Sequence, residues 1–390
     1  MSLARIITCA STVMLLALTG CAPESVVTRA PIEEATPAPT VTPASPTPDE
    51  ARRERATEIV GGWSTEQRAA SVVMATVSTT DPAVAGAFVQ QLGLGGFIVM
   101  PPNVSGDPTQ LAALTAALTA DPALPPLVAI DQEGGTVSRL PWDPAPGADT
   151  LKSVDPAETA AAFASRAVTL GEVGVTVNFG IVADVAPDPW SFIYSRQLGV
   201  GFDDAAARVT AAVTGEQGEM LDIASTLKHF PGHGAAPGDS HSGVPTTDLP
   251  LEAWRSTHAM PFAAGIDAGA RLLMFGHLAY IAVDPAPASL SPTWHQIARD
   301  ELDFTGVIVS DDLGMLLDSG VPEYADLTAV TIAALNAGTD LALLVRGSDT
   351  ATVSAVIAGM VTAVDSGTLP AERLREAAIR VTDLRLELAG

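Results

Sequence analysis

Short apolar runs recur along the chain from about residue 56, and each run ends in a polar or glycine- and proline-rich break. Segments with helical periodicity separate most of these runs. The apolar runs are Ser71–Val77, Gly96–Met100, Leu127–Ile130, Val175–Phe179, Ile223–Leu227, Arg271–Phe275, Val307–Ser310 and Asp340–Val345. The helical segments include Pro156–Leu170, Asp204–Leu221, Leu251–Ala268 and Tyr324–Leu335. This alternation predicts strands and helices that follow one another along the whole chain.

Alternating strands and helices form parallel sheets, and eight such units favour a closed (β/α)8 TIM barrel. No linker or repeat interrupts residues 56–390, so we expect a single α/β domain there. Barrels with insertions reach this length. An open doubly wound sheet is the alternative. The first apolar run lacks a glycine-rich fingerprint, which argues against a dinucleotide-binding version of that sheet.

The barrel interpretation makes a demand on the polar residues, because chemistry in this fold lies at the C-terminal ends of the strands. Polar and charged side chains follow five of the eight runs. They are Asp131 and Glu133, Asn178 and Asp184, Lys228 and His229, His277, and Asp311 and Asp312. We therefore expect these side chains to face one another around one end of the barrel.

The N-terminus has the pattern of an export signal. Arg5 precedes the mostly apolar stretch Ile6–Leu18, and Leu18-Thr19-Gly20-Cys21 closes it. This pattern predicts a lipoprotein signal peptide over residues 1–21, with Cys21 as the lipidated residue. An ordinary cleaved signal peptide is the alternative. Residues 22–55 are rich in proline and threonine and predict a disordered tether that holds the domain away from the membrane.

Charge and cysteine content restrict the function further. The net charge is -25, so the phosphates of a nucleic acid would be repelled. The two cysteines, Cys9 and Cys21, both lie near the N-terminus. We therefore expect no disulfide and no cysteine metal site in the body of the chain.

The stretch Leu227–Pro245 concentrates the candidate chemistry. Lys228 and His229 stand where the fifth apolar run passes into a loop with three glycines. Asp239 and His241 lie two residues apart at the far end of that loop. An aspartate beside a histidine fixes the tautomer of the imidazole and favours its charged form.

Carboxylates facing a proton donor suit the cleavage of a glycosidic bond. Asp311 is the predicted nucleophile, and His241, held by Asp239, is the predicted acid and then base. No Gly-x-Ser-x-Gly elbow or P-loop points to another reaction class. Trp142 and Trp190 lie in predicted loops at the same end and are candidates for stacking on a second ring. The residues expected to bind the sugar are Asp131, Arg139, Arg196, Lys228 and His229.

Ordered motifs over residues 58–390 resemble one group of enzymes. The motifs are Asp131-Gln-Glu-Gly-Gly-x-Val-x-Arg139-Leu, Asn178-Phe with Asp184-Val, Lys228-His-Phe-Pro-Gly-His-Gly with Asp239-Ser-His241, Met274-x-x-His277, and Ser310-Asp311-Asp312-Leu-x-Met315. They resemble the bacterial exo-β-N-acetylglucosaminidases of glycoside hydrolase family 3, the NagZ type. The Asp-x-His loop separates this type from members with a glutamate acid/base on another domain.

The resemblance implies a TIM barrel that retains anomeric configuration through a glycosyl-enzyme intermediate and needs no cofactor. It makes Asp311 the nucleophile, His241 the acid/base and Asp239 its partner, and it assigns sugar binding to the five residues named above. The implied substrates are peptidoglycan fragments that end in β-N-acetylglucosamine. The lipobox and tether resemble those of surface-anchored actinobacterial members. This resemblance implies a lipid-anchored enzyme that acts on wall fragments outside the cytoplasm.

The sequence departs from the family pattern in three places. Arg196-Gln-Leu-Gly replaces Arg-Ser followed by an aromatic residue, so an aromatic wall of the pocket is expected to be missing. Phe275-Gly276-His277 replaces a Thr/Ala-His pair. The additional C-terminal domain of longer members is expected to be absent.

Three other functions remain open from the sequence. A sugar-binding lipoprotein would need neither Asp311 nor the Asp239/His241 pair. A metal-dependent hydrolase would use His229, His233, His277 and Asp311, but Lys228 would repel its cation. Phosphorolysis is the third, because a histidine acid/base places less negative charge in the pocket than a glutamate and so admits phosphate.

Overall fold

The fold was analysed in a computed structural model, which describes residues 20, 26, 28, 46–218 and 223–389. The predicted signal peptide, its lipidated Cys21 and nearly all of the predicted tether lie outside the described residues. None of the helices in the described ranges has the length and apolar character needed to cross a membrane.

Ten strands and fourteen α-helices follow one another in the described residues. The strands are β1 Val73–Ala75, β2 Gly96–Val99, β3 Leu127–Ile130, β4 Val177–Val182, β5 Ala224–Phe230, β6 Thr246–Thr247, β7 Leu272–Phe275, β8 Ala279–Tyr280, β9 Val307–Ser310 and β10 Ala342–Leu344. The helices are α1 Pro48–Gly61, α2 Thr65–Ser71, α3 Pro82–Leu92, α4 Pro108–Leu118, α5 Ala148–Leu151, α6 Pro156–Glu172, α7 Phe202–Glu216, α8 Leu251–Arg255, α9 Ala259–Asp267, α10 Pro292–Asp300, α11 Gly314–Leu317, α12 Leu327–Ala337, α13 Thr350–Ser366 and α14 Ala371–Glu387.

Eight parallel strands form the barrel predicted from the sequence. Their order is β10-β1-β2-β3-β4-β5-β7-β9, so each strand pairs with the next barrel strand along the chain. A parallel bridge between Val309 and Leu341 joins β9 to the residues before β10 and closes the ring. Every predicted apolar run overlaps one of these strands, and β4 and β5 extend beyond the ends of their runs. The short strands β6 and β8 pair with each other outside the barrel.

Helix starts in this chain are encoded locally. Three helices begin at a proline that follows an aspartate, namely α3, α4 and α6, and each aspartate accepts a hydrogen bond from the first turn. Proline fits this position because the missing N–H would have had no partner inside the helix. These signals place the helices that cover the barrel.

The barrel interior is filled by apolar side chains rather than left open. Met74, Phe179, Met274 and Leu343 from four different strands belong to this inner cluster. Two residues of α14, Val381 and Leu384, join it. The helix thus packs against the barrel core, on the side opposite to the site described below.

Two predicted boundaries were wrong. Residues 48–55, assigned to the disordered tether, belong to α1, where Thr47 caps the helix and Arg52 pairs with Asp383 of α14. The predicted single helix Leu251–Ala268 is two helices, α8 and α9. Pro261 falls in the first turn of α9, a position that tolerates proline, whereas the interior of one long helix does not.

Candidate active site

A cavity of about 120 Å³ lies at the C-terminal ends of the barrel strands. It brings together all five residues that the sequence predicts to bind sugar, together with Asp311 and His241. Its lining is Asp131, Glu133, Val137, Arg139, Phe192, Arg196, Lys228, His229, His233, Ser240, His241, Met274 and Asp311. Asp239 lies directly behind His241 and is absent from this lining.

A network of ion pairs forms one wall of the cavity. Lys228 Nζ lies 3.0 Å from Asp131 Oδ1 and 2.6 Å from Glu133 Oε1. Arg139 pairs with Asp131 at 3.3 Å, and Arg196 pairs with Glu133 through two bonds of 2.7 and 3.0 Å. Lys228 and Glu133 are almost fully buried, at 2% and 3% side-chain exposure. Charge-assisted hydrogen bonds therefore hold the charged groups of these side chains in place before any sugar binds.

The network fixes the charge of its members. Burial alone would raise the pKa of Asp131, but Lys228 and Arg139 outweigh it and hold that pKa below its ordinary value. Glu133 behaves in the same way, with Lys228 and Arg196 lowering its pKa against the effect of burial. Both carboxylates are therefore ionised at neutral pH and accept hydrogen bonds.

His229 is held as a neutral imidazole. Burial lowers its pKa well below the ordinary value, and the positive charge of Arg196 lowers it further. Its Nδ1 lies 2.6 Å from Asp184 Oδ2, so Nδ1 carries the proton and donates a hydrogen bond to the carboxylate. Nε2 lies 3.4 Å from Arg196 Nη2 and keeps its lone pair toward the cavity. The peptide bond between Lys228 and His229 is cis.

Asp311 follows β9 and lines the cavity beside these groups. Burial raises the pKa of its carboxyl, but the hydrogen bond from the Asp312 amide and the positive charge of Lys228 are among the causes that bring it below the ordinary value. The Asp312 amide donates to Asp311 Oδ1 at 2.8 Å. An ionised and oriented carboxylate is what a nucleophilic attack on an anomeric carbon requires.

Asp312 has a different environment from its neighbour. Its carboxylate accepts hydrogen bonds from the amides of Gly314, Val345 and Arg346, and its backbone carbonyl lies 2.9 Å from His277 Nε2. The two adjacent aspartates therefore have different roles. Asp311 lines the cavity, whereas Asp312 forms hydrogen bonds with backbone amides that follow β9 and β10.

The predicted Asp239–His241 pair is present on an exposed loop. Asp239 Oδ1 lies 2.6 Å from His241 Nδ1 and also accepts the amide of His241 at 3.0 Å. The side chains are 46% and 55% exposed, respectively. His241 lines the same cavity as Asp311, as a proton donor that works with a carboxylate must.

Sequence reasoning missed the roles of three side chains of this region. Glu133 was noted after its strand but not assigned to sugar binding, and Asp184 was not recognised as the partner of His229. Phe192 supplies an aromatic wall despite the Arg196-Gln-Leu-Gly departure, with its ring 4.8 Å from that of His233 and 6.4 Å from that of His241. Glu133 and Asp184 carried a signal in the sequence, because both were noted as polar residues that follow a strand, whereas Phe192 carried none.

Besides Asp184, Asp239 and Asp312, four further residues singled out in the sequence do not line the cavity. Asn178 lies inside β4 rather than after it, and its side chain contacts Gln132 and Glu216. His277 is fully buried. Trp142 packs against the hydrophobic core, and Trp190 is 93% exposed.

Of the imidazoles proposed for a metal site, those of His229 and His233 line the cavity and that of His277 does not. His229 Nδ1 is bonded to Asp184, and His277 is bonded through both ring nitrogens, to Ser289 Oγ at 2.7 Å and to the Asp312 carbonyl. No set of three His, Cys, Asp or Glu side chains with metal-binding geometry occurs among the described residues. The donor arrangement therefore does not fit a histidine metal centre.

The comparisons with known proteins agree with the family that the motifs resemble. The profile of the glycosyl hydrolase family 3 N-terminal domain matches residues 65–384. A protein of Xanthomonas campestris pv. campestris named beta-hexosaminidase is 34% identical over 241 residues, which are 58% of this chain and 71% of that protein. A Stenotrophomonas maltophilia protein of the same name is 35% identical over 271 residues, covering 66% of this chain and 78% of that one.

A solved structure gives the same answer for the fold. The family 3 beta-N-acetylglucosaminidase from Paenibacillus sp. str. FPU-7 superposes with a TM-score of 0.77 at 28% identity. The match covers 84% of this chain but 64% of that one, so this chain spans less than two thirds of that enzyme.

The chain belongs to glycosyl hydrolase family 3. Within that family it is a glycoside hydrolase of the beta-N-acetylhexosaminidase type, as its curated relatives are.

Proposed function

We propose that the protein is a retaining exo-β-N-acetylglucosaminidase that removes terminal β-N-acetylglucosamine from peptidoglycan fragments. The observation that carries the proposal is that a partly buried, ionised Asp311 and an Asp-supported His241 line the same small cavity. A binding protein would need only the ion-pair wall and not these two groups.

The proposed reaction proceeds in two steps. Asp311 attacks the anomeric carbon, the bond to the leaving oxygen breaks, and protonated His241 gives its proton to that oxygen. A water molecule then attacks the anomeric carbon while His241 accepts the proton of the water. The bond to Asp311 breaks, and the sugar leaves with its original anomeric configuration.

The shape of the cavity supports action on a chain end. Its floor includes Met274, which belongs to the packed interior of the barrel, so the cavity does not continue through the fold. Five charged groups line one side and offer both donors and acceptors to sugar hydroxyls. A single terminal sugar suits a cavity of this size, and an internal sugar of a polymer does not.

The substrate class follows from the family and from the predicted export signal. The curated relatives are named beta-hexosaminidases, and the outer surface of a bacterium offers N-acetylglucosamine chiefly in wall fragments. We propose that Cys21 carries the lipid that anchors the enzyme outside the cytoplasm. Substitution Cys21→Ala should move the protein from the membrane fraction to the soluble fraction of fractionated cells, and an unchanged distribution would contradict the anchor.

The function is tested with 4-nitrophenyl β-N-acetylglucosaminide and the matching glucoside, using protein that begins at Pro46 and so keeps α1. We expect release of the phenol from the acetamido sugar alone, followed by release of N-acetylglucosamine from GlcNAc-MurNAc. Turnover of the aryl glycoside without any turnover of GlcNAc-MurNAc would retain the activity and reject the wall substrate. Formation of a sugar 1-phosphate at high phosphate would instead favour phosphorolysis.

A further inference from the structure

The loop that carries His241, residues 237–244, makes few hydrogen bonds to the remainder of the protein. Within residues 237–244, Asp239 and Ser242 make the hydrogen bonds internal to the loop. In the part of the chain that the structure describes, one hydrogen bond links this segment to the rest of the molecule. It runs from Arg346 Nη1 to the backbone carbonyl of His241, over 3.4 Å.

Arg346 is itself fixed at both ends. Its Nη1 lies 2.6 Å from Asp318 Oδ2, and its side chain is 35% exposed. Its backbone amide donates to Asp312 Oδ2 at 3.1 Å. Asp312 in turn donates its own amide to Asp311 Oδ1. The arginine that contacts the histidine loop therefore shares an anchor with the predicted nucleophile.

We propose that Arg346 is a positioning residue that holds the 237–244 loop against the barrel and so sets the place of His241 relative to Asp311. The inference rests on the proposed function, because it acts through His241 as acid/base. Proton transfer needs the imidazole within hydrogen-bond reach of the leaving oxygen. Val244 packs against the hydrophobic core and Ser240 is buried, so the loop stays attached at these points. Among the described residues, the half-exposed His241 has only the Arg346 hydrogen bond to its backbone carbonyl from outside the loop, and without it the imidazole would spend more of its time away from the cavity.

The proposal predicts a specific pattern of loss. Protonation matters most when the leaving group is a poor one, so Arg346→Ala should reduce kcat/KM for GlcNAc-MurNAc by about 10- to 100-fold. The loss on β-N-acetylglucosaminyl fluoride, which needs little protonation of its leaving group, should be below about 3-fold. Arg346→Lys keeps the charge and should recover part of the loss on the disaccharide.

A double-mutant cycle with His241→Ala separates positioning from other roles. If Arg346 acts through His241, its removal costs little more once the imidazole is absent, and the two effects do not add. If Arg346→Ala reduces the disaccharide rate as much in the His241→Ala background as in the wild type, the proposal is overturned. Such additivity would assign Arg346 to direct contact with the substrate or to general stability.

Two further variants complete the experiment. Asp318→Asn weakens the hold on Arg346 and should show the same leaving-group dependence in smaller degree. Arg375→Ala is the matched control, because it removes an exposed arginine that pairs with Glu372 on α14, away from the loop. An equal loss on both substrates in Arg346→Ala, despite the expected behaviour of wild type and His241→Ala, would overturn the positioning role alone. Absence of turnover by the wild type would instead overturn the proposed function on which it rests.

Discussion

The two sides of the cavity are built in opposite ways. One side is an ion-pair network at the C-terminal ends of the barrel strands, in which Lys228 and Glu133 expose 2% and 3% of their side chains. The other side is the loop with Asp239 and His241, which expose 46% and 55%. The network is bonded before any ligand binds, whereas the loop has one hydrogen bond to the rest of the described protein, from Arg346.

This difference separates two tasks that an active site has to perform. Groups that recognise a sugar benefit from being fixed. A hydrogen-bond donor that is already oriented loses less conformational entropy when the sugar binds. A group that gives and later takes a proton while product leaves and water enters benefits from movement. We therefore expect substitutions in the network to affect stability, and substitutions in the loop to affect chemistry without much effect on stability.

The largest effect is expected for Asp311, the proposed nucleophile, which follows β9. Asp311→Asn should lower kcat by about 10⁴-fold or more, because an amide is a very poor nucleophile. The amide oxygen can still accept the Asp312 N–H, so the protein should remain folded. The measurement is steady-state turnover together with urea unfolding.

The neighbouring carboxylate is the matched comparison for that variant. Asp312→Asn replaces an acceptor of three amide bonds and should cost stability, by about 1–3 kcal/mol, with a much smaller loss of turnover than Asp311→Asn. A larger loss of turnover in Asp312→Asn than in Asp311→Asn would reverse the assignment of the nucleophile.

The barrel was predictable from the sequence because burial on both faces makes each parallel strand an apolar run. Candidate residues that directly follow or end a strand, such as Asp131 and Lys228, were predictable for the same reason. The Asp239–His241 contact was local, over two residues, and was also accessible. The contact between His229 and Asp184 joins residues 45 apart, and only the folded barrel brings them together.

Phe192 and α1 were missed for related reasons. Phe192 lies in an irregular loop, where no periodicity indicates which way a side chain faces, and the departure after Arg196 suggested that the aromatic wall was absent. Helix α1 has charged residues on most sides, so its composition resembled that of a tether. It is ordered by tertiary pairs, such as that of Arg52 with Asp383, that no local pattern reveals.

On the loop side, His241→Ala should reduce turnover of GlcNAc-MurNAc by about 10²- to 10⁴-fold. The loss on β-N-acetylglucosaminyl fluoride should be far smaller, because fluoride leaves without a proton. The free energy of unfolding should change by less than about 0.5 kcal/mol, as for other exposed side chains. Equal losses on both substrates would mean that His241 has a structural role.

The contrast in stability is sharpest between Lys228 and Asp239. Lys228→Met leaves two buried carboxylates without their shared cation and should cost about 3–5 kcal/mol of unfolding free energy. Asp239→Asn breaks a half-exposed pair and should cost less than about 1 kcal/mol. Urea unfolding of both variants tests the comparison, and similar losses would show that the loop is as firmly built as the network.

The buried region continues behind the cavity to Glu216, which sharpens the contrast through pH. Glu216 is fully buried and accepts a hydrogen bond from Asn178, whose own oxygen accepts the amide of Gln132 beside Asp131. Burial raises the pKa of Glu216 to about 7, from an ordinary value of 4.5, and outweighs the lowering by Asn178. The folded protein therefore favours the neutral carboxyl group.

A raised pKa in the folded state contributes stability that is complete below the unfolded value and disappears as the pH rises through the folded value. For Glu216 that window runs from 4.5 to about 7, and the shift corresponds to about 3 kcal/mol. Glu216→Gln lacks this titration, so its unfolding free energy should fall less than that of the wild type between pH 5 and pH 8. The exposed Glu172→Gln on α6 is the control and should follow the wild type. If Glu216→Gln also followed the wild type, the carboxyl group would have to be hydrated or paired, and the buried region would end at Asn178.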